Sequence, residues 1–300
     1  MNNHQDIKVM ITGSTGFIGQ TLSQFYKQKA VQVVELNRAN CDYNIHTLVD
    51  VIKVQKPDLF IHAAGSASVI NSYASPAEAR QGSVDLTEVV LNALAQAQTA
   101  TRLIHFSSAA VYGNPLKLPI AEDAPLRPIS PYGENKLESE RLVESYTSKL
   151  AINPLTVRIF SLFGERQRRL VLYELFQQFS DSDSKTVKIR GTGRETRDFL
   201  SIGVFCQKLG ALIEENPNIP VINIASGEAY SILDAAQTMA ALLGAHDKPI
   251  ICSGEEMTGN PPYWQADTSL YDQIVRQGIL FDFAGELSKT LAQWKTQKKT

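Results

Sequence analysis

A short apolar run at residues 7–12 leads directly into Gly13-Ser14-Thr15-Gly16-Phe17-Ile18-Gly19, and a helical pattern begins at Phe17. Few arrangements narrow a fold as much. Glycines spaced by three between a strand and a helix suit a tight turn at Gly13, a close approach of a phosphate to the backbone at Gly16, and close helix–strand packing at Gly19. The helix start then offers unpaired N–H groups and about half a positive charge to a pyrophosphate. The loop from Gly13 to Gly19 is read as a dinucleotide cradle, and the strand before it as part of a parallel sheet.

The chain keeps that rhythm. Further candidate strands lie at residues 31–36, 58–62, 103–107, 155–159 and 221–224, with helices at 17–28, 47–55, 77–98 and 131–150. Strands alternating with helices imply right-handed crossovers and a parallel sheet covered on both faces. The expected class is α/β, a Rossmann-type doubly wound parallel sheet with a smaller C-terminal substrate-binding lobe. After Phe160 the pattern changes. Residues 164–169 read as a basic loop, 170–179 as a helix, 181–185 as a polar loop, 191–193 as a turn and 201–214 as a helix, and the tail from Ser231 mixes helices with a turn at 259–262. The expected division is 1–160 plus 196–228 for the NAD(P)-binding domain and 161–195 plus 229–300 for the lobe.

With 300 residues, 43% of them hydrophobic, the chain can bury a large core. A net charge of −2 argues against nucleic acid as a partner and against a polybasic membrane contact. Cys41, Cys206 and Cys252 are odd in number and far apart, so neither a zinc pattern nor a disulfide framework is expected, and no metal site. No apolar stretch approaches the ~20 residues of a membrane span. The first residues are polar without a basic leader, so the expectation is a cytoplasmic protein.

The second strand ends at Leu36-Asn37-Arg38. A carboxylate at that place would bind a ribose 2′-hydroxyl. Asn37 cannot replace it fully, and Arg38 suits a 2′-phosphate. NADP(H) is therefore favoured, with NAD(H) as the alternative, and an exposed loop arginine is the bland reading of Arg38.

Tyr132 and Lys136 are four residues apart within a helical pattern and meet on one face. A free tyrosine, with pKa about 10, is a poor base at neutral pH, and bringing it there takes about 4 kcal/mol of differential interaction. One ammonium is too little for all of that, so a cationic cofactor ring is a natural second contributor. Ser108, at the end of a strand, adds a hydroxyl donor. Such a set moves a proton on or off an alcohol oxygen.

Taken in order, these residues resemble the extended short-chain dehydrogenase/reductases, specifically the NAD-dependent epimerase/dehydratase group acting on nucleotide sugars. The likeness runs along nearly the whole chain. It is carried by the glycine loop, Ile61-His62-Ala63-Ala64-Gly65, Phe106-Ser107-Ser108-Ala109-Ala110-Val111-Tyr112-Gly113 and Ser130-Pro131-Tyr132-Gly133-Glu134-Asn135-Lys136. It continues through Arg158-Ile159-Phe160-Ser161, Thr196-Arg197-Asp198-Phe199-Leu200 and Asn223-Ile224-Ala225-Ser226-Gly227. The resemblance implies Ser108, Tyr132 and Lys136 as the catalytic set, with Lys136 also holding the nicotinamide ribose. It implies Asp42 and Tyr43 near the adenine, Ala63, Ala64 and Gly65 under the cofactor, and Ser107 and Phe160 beside it. Arg197 resembles a diphosphate-gripping arginine, with a structural ion pair to Asp198 as the alternative. Arg168 and Arg169 are further diphosphate candidates. Ser161 and Tyr112 complete the expected substrate contacts, and Tyr112 is equally suited to packing under its loop.

The departures from the family pattern are informative. Family 4,6-dehydratases carry an Asp-Glu pair where this chain has Ala109 and Ala110, and alanine transfers no proton. The 3,5-epimerase/reductases carry a cysteine at the place of Ala110. Redox at one sugar carbon, C4, remains. The UDP-galactose 4-epimerase pattern has asparagine at Ser161, arginine at Met257 and lysine at Ala67, so a reductase of 4-keto (6-deoxy) nucleotide sugars is the first expectation and a nucleotide-sugar 4-epimerase the alternative. A non-catalytic NADP(H)-binding sensor is the reading from another class, disfavoured because both Tyr132 and Lys136 are present. The helices at 77–98 and 131–150 are candidates for a homodimer contact, or for packing within one chain.

Overall fold

In a computed structural model, which describes residues 7–255 and 261–297, the chain alternates strands and helices. The order is β1 (Lys8–Thr12), α1 (Phe17–Gln28), β2 (Gln32–Leu36), α2 (Ile45–Gln55), β3 (Leu59–His62), α3 (Val69–Ala74), α4 (Pro76–Arg80), α5 (Leu86–Ala97), β4 (Arg102–Ser108), α6 (Pro131–Tyr146) and β5 (Leu155–Ile159). The later elements are β6 (Ser161–Phe163), α7 (Val171–Phe179), β7 (Val187–Ile189), β8 (Thr196–Arg197), β9 (Phe199–Ser201), α8 (Ile202–Glu215), β10 (Val221–Ile224), β11 (Tyr230–Ser231), α9 (Ile232–Leu243), β12 (Ile250–Cys252), α10 (Ser269–Ile274) and α11 (Phe283–Gln297). Met257 and part of the expected 259–262 turn lie outside the described residues.

Six strands form one sheet in the order β10-β5-β4-β3-β1-β2. β1 pairs in parallel with both β2 and β3, and β3–β4 and β4–β5 are parallel too. The chain leaves β1 for β2 on one side, then crosses to β3 on the other. That reversal opens a crevice beyond the carboxyl end of β1, where doubly wound sheets bind ligands. The central strands are buried on both faces, as Val9, Met10, Ile11, Phe60 and Ile61 of β1 and β3 show at 0% exposure. Met10, Phe60 and Leu103 share one cluster with Leu48 and Ile52 of α2 and with Val90, Leu91 and Leu94 of α5.

The chain divides into two compact units. The first holds the chain up to Gly113, Pro125–Ile159 and Leu212–Asn223. The second holds Asn114–Ala124, Phe160–Ala211 and the chain from Ile224 on. This differs from the expected division at residues 114–124, 160, 196–211 and 224–228, which group with the second unit. For residues 196–201 the reason is pairing: β8 joins β11, and β9 joins β6, so both lie within that unit. The second unit has its own aromatic core. Phe163 packs on Phe199 and Phe283, and Trp294 on Tyr173 and Phe176.

One expected helix is broken. Residues 77–98 form α4, a π-helical turn at Gln81–Asp85, and α5. The expected helix at 131–150 ends at Tyr146 and continues as a 3-10 turn, Thr147–Lys149. Among the described residues no helix is long and apolar enough to cross a membrane.

Candidate active site

The glycine loop is built as its spacing implies. Gly13 stands at φ 66°, and a Cβ there would come within 2.8 Å of Ala64 Cα. A side chain would therefore push the loop away from the segment that follows β3. At Gly19 a Cβ would lie 2.3 Å from the Gly13 carbonyl oxygen, so only glycine lets α1 start this close to β1. Gly16 is the N-cap of α1; no side chain caps the helix and its first turn carries no acid. Its free N–H groups and dipole suit an anion. Thr15 and Gly16 are exposed, Phe17 and Ile18 half-buried, and Ser14 buried.

Tyr43 braces this loop. Its hydroxyl accepts from Gly13 N–H at 3.0 Å and donates to the Leu36 carbonyl at 2.8 Å. Asn37 donates to Ser14 Oγ at 3.3 Å and accepts from Ala39 N–H. Arg38 is exposed, and no ion pair engages it among the described residues. Asp42 is exposed and accepts from Asn44 N–H, a bond that lowers its pKa.

Across the switch point, three strands present a row of buried polar side chains on one face: Thr12, His62 and His105 are register partners in sequence. Thr87 Oγ1 donates to the Ser83 carbonyl, so His62 Nε2 must donate to Thr87 Oγ1 (3.3 Å). His62 Nδ1 then accepts from Thr12 Oγ1 (2.9 Å), which in turn accepts from Ala64 N–H (3.2 Å). This chain of donors assigns a neutral imidazole protonated at Nε2. Burial, then the charge of Lys136, pushes His62 down to about 3, consistent with that tautomer. His62 is thus a structural tie for the Ala63-Ala64-Gly65 segment.

β4 ends at Ser108, whose Oγ accepts from Ala110 N–H at 3.2 Å and caps a 3-10 turn, Ala109–Tyr112. The cap uses a lone pair and leaves the hydroxyl hydrogen for another acceptor. Ser107 Oγ is buried with no hydrogen-bond partner among the described residues. The helix α6 is started by Ser130, which caps Gly133 N–H, and by Pro131 in its first turn. Tyr132 follows, half-buried, and its N–H donates to Ser72 Oγ at 3.1 Å. Lys136 lies one turn on, on the same face. Its Nζ donates to the Phe106 carbonyl of β4 at 2.9 Å, and a Cβ added at Gly65 would lie 3.7 Å from it. Burial lowers the Lys136 pKa to about 8, with Glu140 acting the other way. The ends of β3 and β4 and the start of α6 are thereby brought together.

Tyr112, expected among the sugar contacts, is placed differently. It is 1% exposed, its hydroxyl donates to Asn223 Oδ1 at 2.7 Å, and Arg158 NH1 donates to it at 2.9 Å. Both hydroxyl roles are occupied inside the protein, so Tyr112 packs. In the same network, Arg158 Nε and NH2 bond both oxygens of Glu140. Neither Glu140 nor Arg158 carries a sequence signal for that contact, since they are 18 positions apart.

Within the second unit, Phe160 is buried and meets Trp264 edge-on at 6.5 Å. Ser161, half-buried, donates its N–H to the Asp198 carbonyl at 3.0 Å. The Arg197 guanidinium lies over Trp264 at 5.3 Å and donates to the Thr196 carbonyl. Among the described residues no carboxylate forms an ion pair with it, and burial lowers its pKa to about 10. The alternative pairing with Asp198 is not found. Asp198 instead accepts from Ser226 N–H and Oγ, Gly227 N–H and Ala266 N–H. Arg168 donates to the Glu165 and Gln167 carbonyls, and Arg169 is exposed.

A parallel sheet with a glycine-cradled helix start at its switch point defines the class: a dinucleotide-binding protein of the Rossmann type. The cradle, the uncapped helix start and the unsatisfied Ser107 hydroxyl fit such a cofactor. The sequence model described as the NAD dependent epimerase/dehydratase family matches residues 9–225, and the chain belongs to that family. It is accordingly an enzyme that works with a nicotinamide cofactor.

A putative UDP-glucose 4-epimerase of Methanocaldococcus jannaschii is 26% identical over 80% of this chain and 86% of its own. UDP-glucuronic acid 4-epimerase from Bacillus cereus, solved with UDP-glucuronic acid and NAD, aligns with TM-score 0.86 and 24% identity, covering 97% of this chain and 100% of its own. RMD from Pseudomonas aeruginosa, solved with NADPH, aligns with TM-score 0.87 and 20% identity, covering 97% and 99%. These structural likenesses establish the fold.

Proposed function

We propose that this enzyme performs NAD(P)-dependent oxidoreduction at C4 of a nucleotide-diphosphate sugar, with 4-epimerisation as its net reaction. The observation that carries the reading is Tyr132 and Lys136 on one face of α6, tied through the Lys136–Phe106 bond to the strand that ends in Ser108. Relatives named as UDP-glucose 4-epimerases support this reading over the reductase expectation. A bound nicotinamide supplies the hydride acceptor and donor. The glycine loop, Ser14, Thr15, Tyr43 and the segment Ala63-Ala64-Gly65 hold the dinucleotide, and Ser107 and Phe160 flank it.

The protein's part is proton handling. Tyr132 Oη takes the proton of the C4 hydroxyl and returns it. Ser108 donates its free hydroxyl hydrogen to the same oxygen, stabilising charge as it develops there. The Lys136 ammonium favours the tyrosinate. Arg197, a guanidinium with no described carboxylate partner, is the proposed diphosphate ligand. Ala109 and Ala110 offer no second acid, which argues against water elimination.

One observation favours the second reading, a reductase of 4-keto sugars that uses NADP(H). Arg38 is exposed with no described ion pair, beside Asn37 where an NAD-preferring site carries a carboxylate. Incubation with a panel of UDP-, GDP- and dTDP-linked sugars, with and without NADPH, tests both. Interconversion of two sugars without net coenzyme consumption supports epimerisation, and stoichiometric consumption with a 4-keto sugar supports reduction. Turnover with neither sinks the proposal.

A further inference from the structure

Arg197 is held in place without being neutralised. Its NH1 donates to the Thr196 carbonyl at 2.7 Å and to the Pro262 carbonyl at 3.4 Å. The guanidinium carbon lies over the Trp264 ring, 5.3 Å from the ring centroid. That is within the ~6 Å over which an aromatic face attracts a cation. Carbonyls and an indole face orient the group but bring no negative charge. The neighbouring carboxylates are occupied. Asp198 takes its donors from Ser226, Gly227 and Ala266. Glu195 acts on the charge of Arg197 without pairing with it, and accepts from Thr192 N–H and Oγ1. Nε and NH2 of Arg197 have no partner among the described residues. These two donors form one of the edges with which a guanidinium grips two anionic oxygens at once.

Trp264 is as firmly placed as the arginine. Its backbone N–H donates to the Thr196 carbonyl at 3.2 Å, the same oxygen that Arg197 NH1 uses. Thr196 N–H donates to the Pro262 carbonyl at 2.8 Å, and Thr196 forms a parallel bridge with Tyr263. Two residues past the indole, Ala266 N–H donates to the Asp198 carboxylate at 3.1 Å. Residues 262–266 are thus laced to 196–198, and Phe160 meets the indole edge-on at 6.5 Å. Arg197 is half-buried, so the stack does not seal it from a ligand. A free arginine gives up rotamer freedom when it grips a ligand, and one already fixed gives up less.

We propose, on the reading of Arg197 as the diphosphate ligand, that Trp264 is a positioning residue: its indole holds the guanidinium so that Nε and NH2 face a nucleoside diphosphate. The test uses nucleotides without a sugar and needs no turnover, so a failure of the proposed reaction is seen separately.

The experiment is calorimetric titration of the coenzyme-saturated protein with UDP, GDP and dTDP, continued with the one that binds most tightly. Arg197→Gln weakens it at least about tenfold, the loss expected for a hydrogen-bonded charge. Trp264→Leu weakens it about three- to tenfold, and Trp264→Phe, which keeps an aromatic face, by less. In the Arg197→Gln background Trp264→Leu costs nothing further, a coupling that a merely structural role would not show. Fluorotryptophan gives a measurement without substitution, because fluorine weakens the attraction of the ring for a cation at nearly constant shape. The chain has two tryptophans. Trp294 is 1% exposed in the aromatic core, so fluorotryptophan weakens binding in the unsubstituted protein and leaves it unchanged in Trp264→Phe. Where a variant fails to fold or binds too weakly to measure, this labelled pair decides. No binding of any of the three nucleotides, or an affinity unmoved by Arg197→Gln, overturns the diphosphate reading and the role of Trp264 with it. Weakening by Arg197→Gln alone, an equal cost of Trp264→Leu in both backgrounds, or an affinity indifferent to fluorination overturns the role of Trp264 and leaves Arg197 standing.

Discussion

Tyr112→Phe separates packing from sugar contact at a position where sequence allowed both. The substitution removes one oxygen that donates to Asn223 at 2.7 Å and accepts from Arg158 at 2.9 Å. Asn223 is 0% and Arg158 4% exposed, so water does not readily replace either bond. A neutral buried hydrogen bond contributes about 1 kcal/mol and one to a charged group about 1.5–3 kcal/mol. The two losses share one atom, and the expected cost is about 3 kcal/mol. Urea unfolding followed by circular dichroism measures it as a lower midpoint at unchanged slope. Steady-state kinetics on the same variant should leave the sugar KM within about twofold, since that change is under half a kcal/mol. Unchanged stability with a tenfold higher KM would refute the packing assignment.

Three further outcomes follow from the geometry. Gly19→Val places carbon where the Gly13 carbonyl oxygen stands 2.3 Å away, so coenzyme affinity measured by fluorescence titration should fall at least about tenfold, the loss expected from a loop displaced off the phosphates. Arg38→Ala should weaken NADPH and leave NADH nearly unaffected; an unchanged preference removes Arg38 from coenzyme selection. Burial raises the Asp198 pKa to about 6, while its bonds to Ser226, Ala266 and Gly227 oppose that rise. Because the folded value exceeds the unfolded one, the folded state binds the extra proton between about pH 4 and 6, and this contribution, about 3 kcal/mol, is present at pH 4 and lost as pH rises through 6. Asp198→Asn should flatten that stretch of the stability profile while lowering stability at pH 7, because an amide cannot accept the same four donors.

The sheet was legible because each strand is a short apolar run between helical patterns. All six expected strands appear in it, and Leu155–Ile159 and Val221–Ile224 match to the residue. The break between α4 and α5 was not legible: residues 77–98 keep helical periodicity through the π turn, and one added residue per turn leaves little trace in composition. The two- and three-residue strands of the second unit were missed for another reason. Their pairing depends on partners far along the chain, as Ser161 with Phe199 and Thr196 with Ser231.

At the candidate site, motif spacing singles out the glycine loop, Ser108, Tyr132 and Lys136, which lie after β1, at the end of β4 and at the start of α6. It did not find Tyr43 as a brace for Gly13, nor the Glu140–Arg158–Tyr112–Asn223 network, because those contacts join separate elements. The Asp198 cluster was hidden in the same way; its acceptors face Ser226 and Ala266 rather than the adjacent Arg197.

The most direct measurement is turnover of Tyr132→Phe on whichever nucleotide sugar the unsubstituted enzyme converts, together with its coenzyme dissociation constant. A phenol hydrogen essential to proton transfer implies a kcat loss of about 10²–10⁴ with coenzyme binding retained. Turnover within a few-fold of the unsubstituted enzyme would contradict proton transfer by Tyr132 and with it the proposed chemistry.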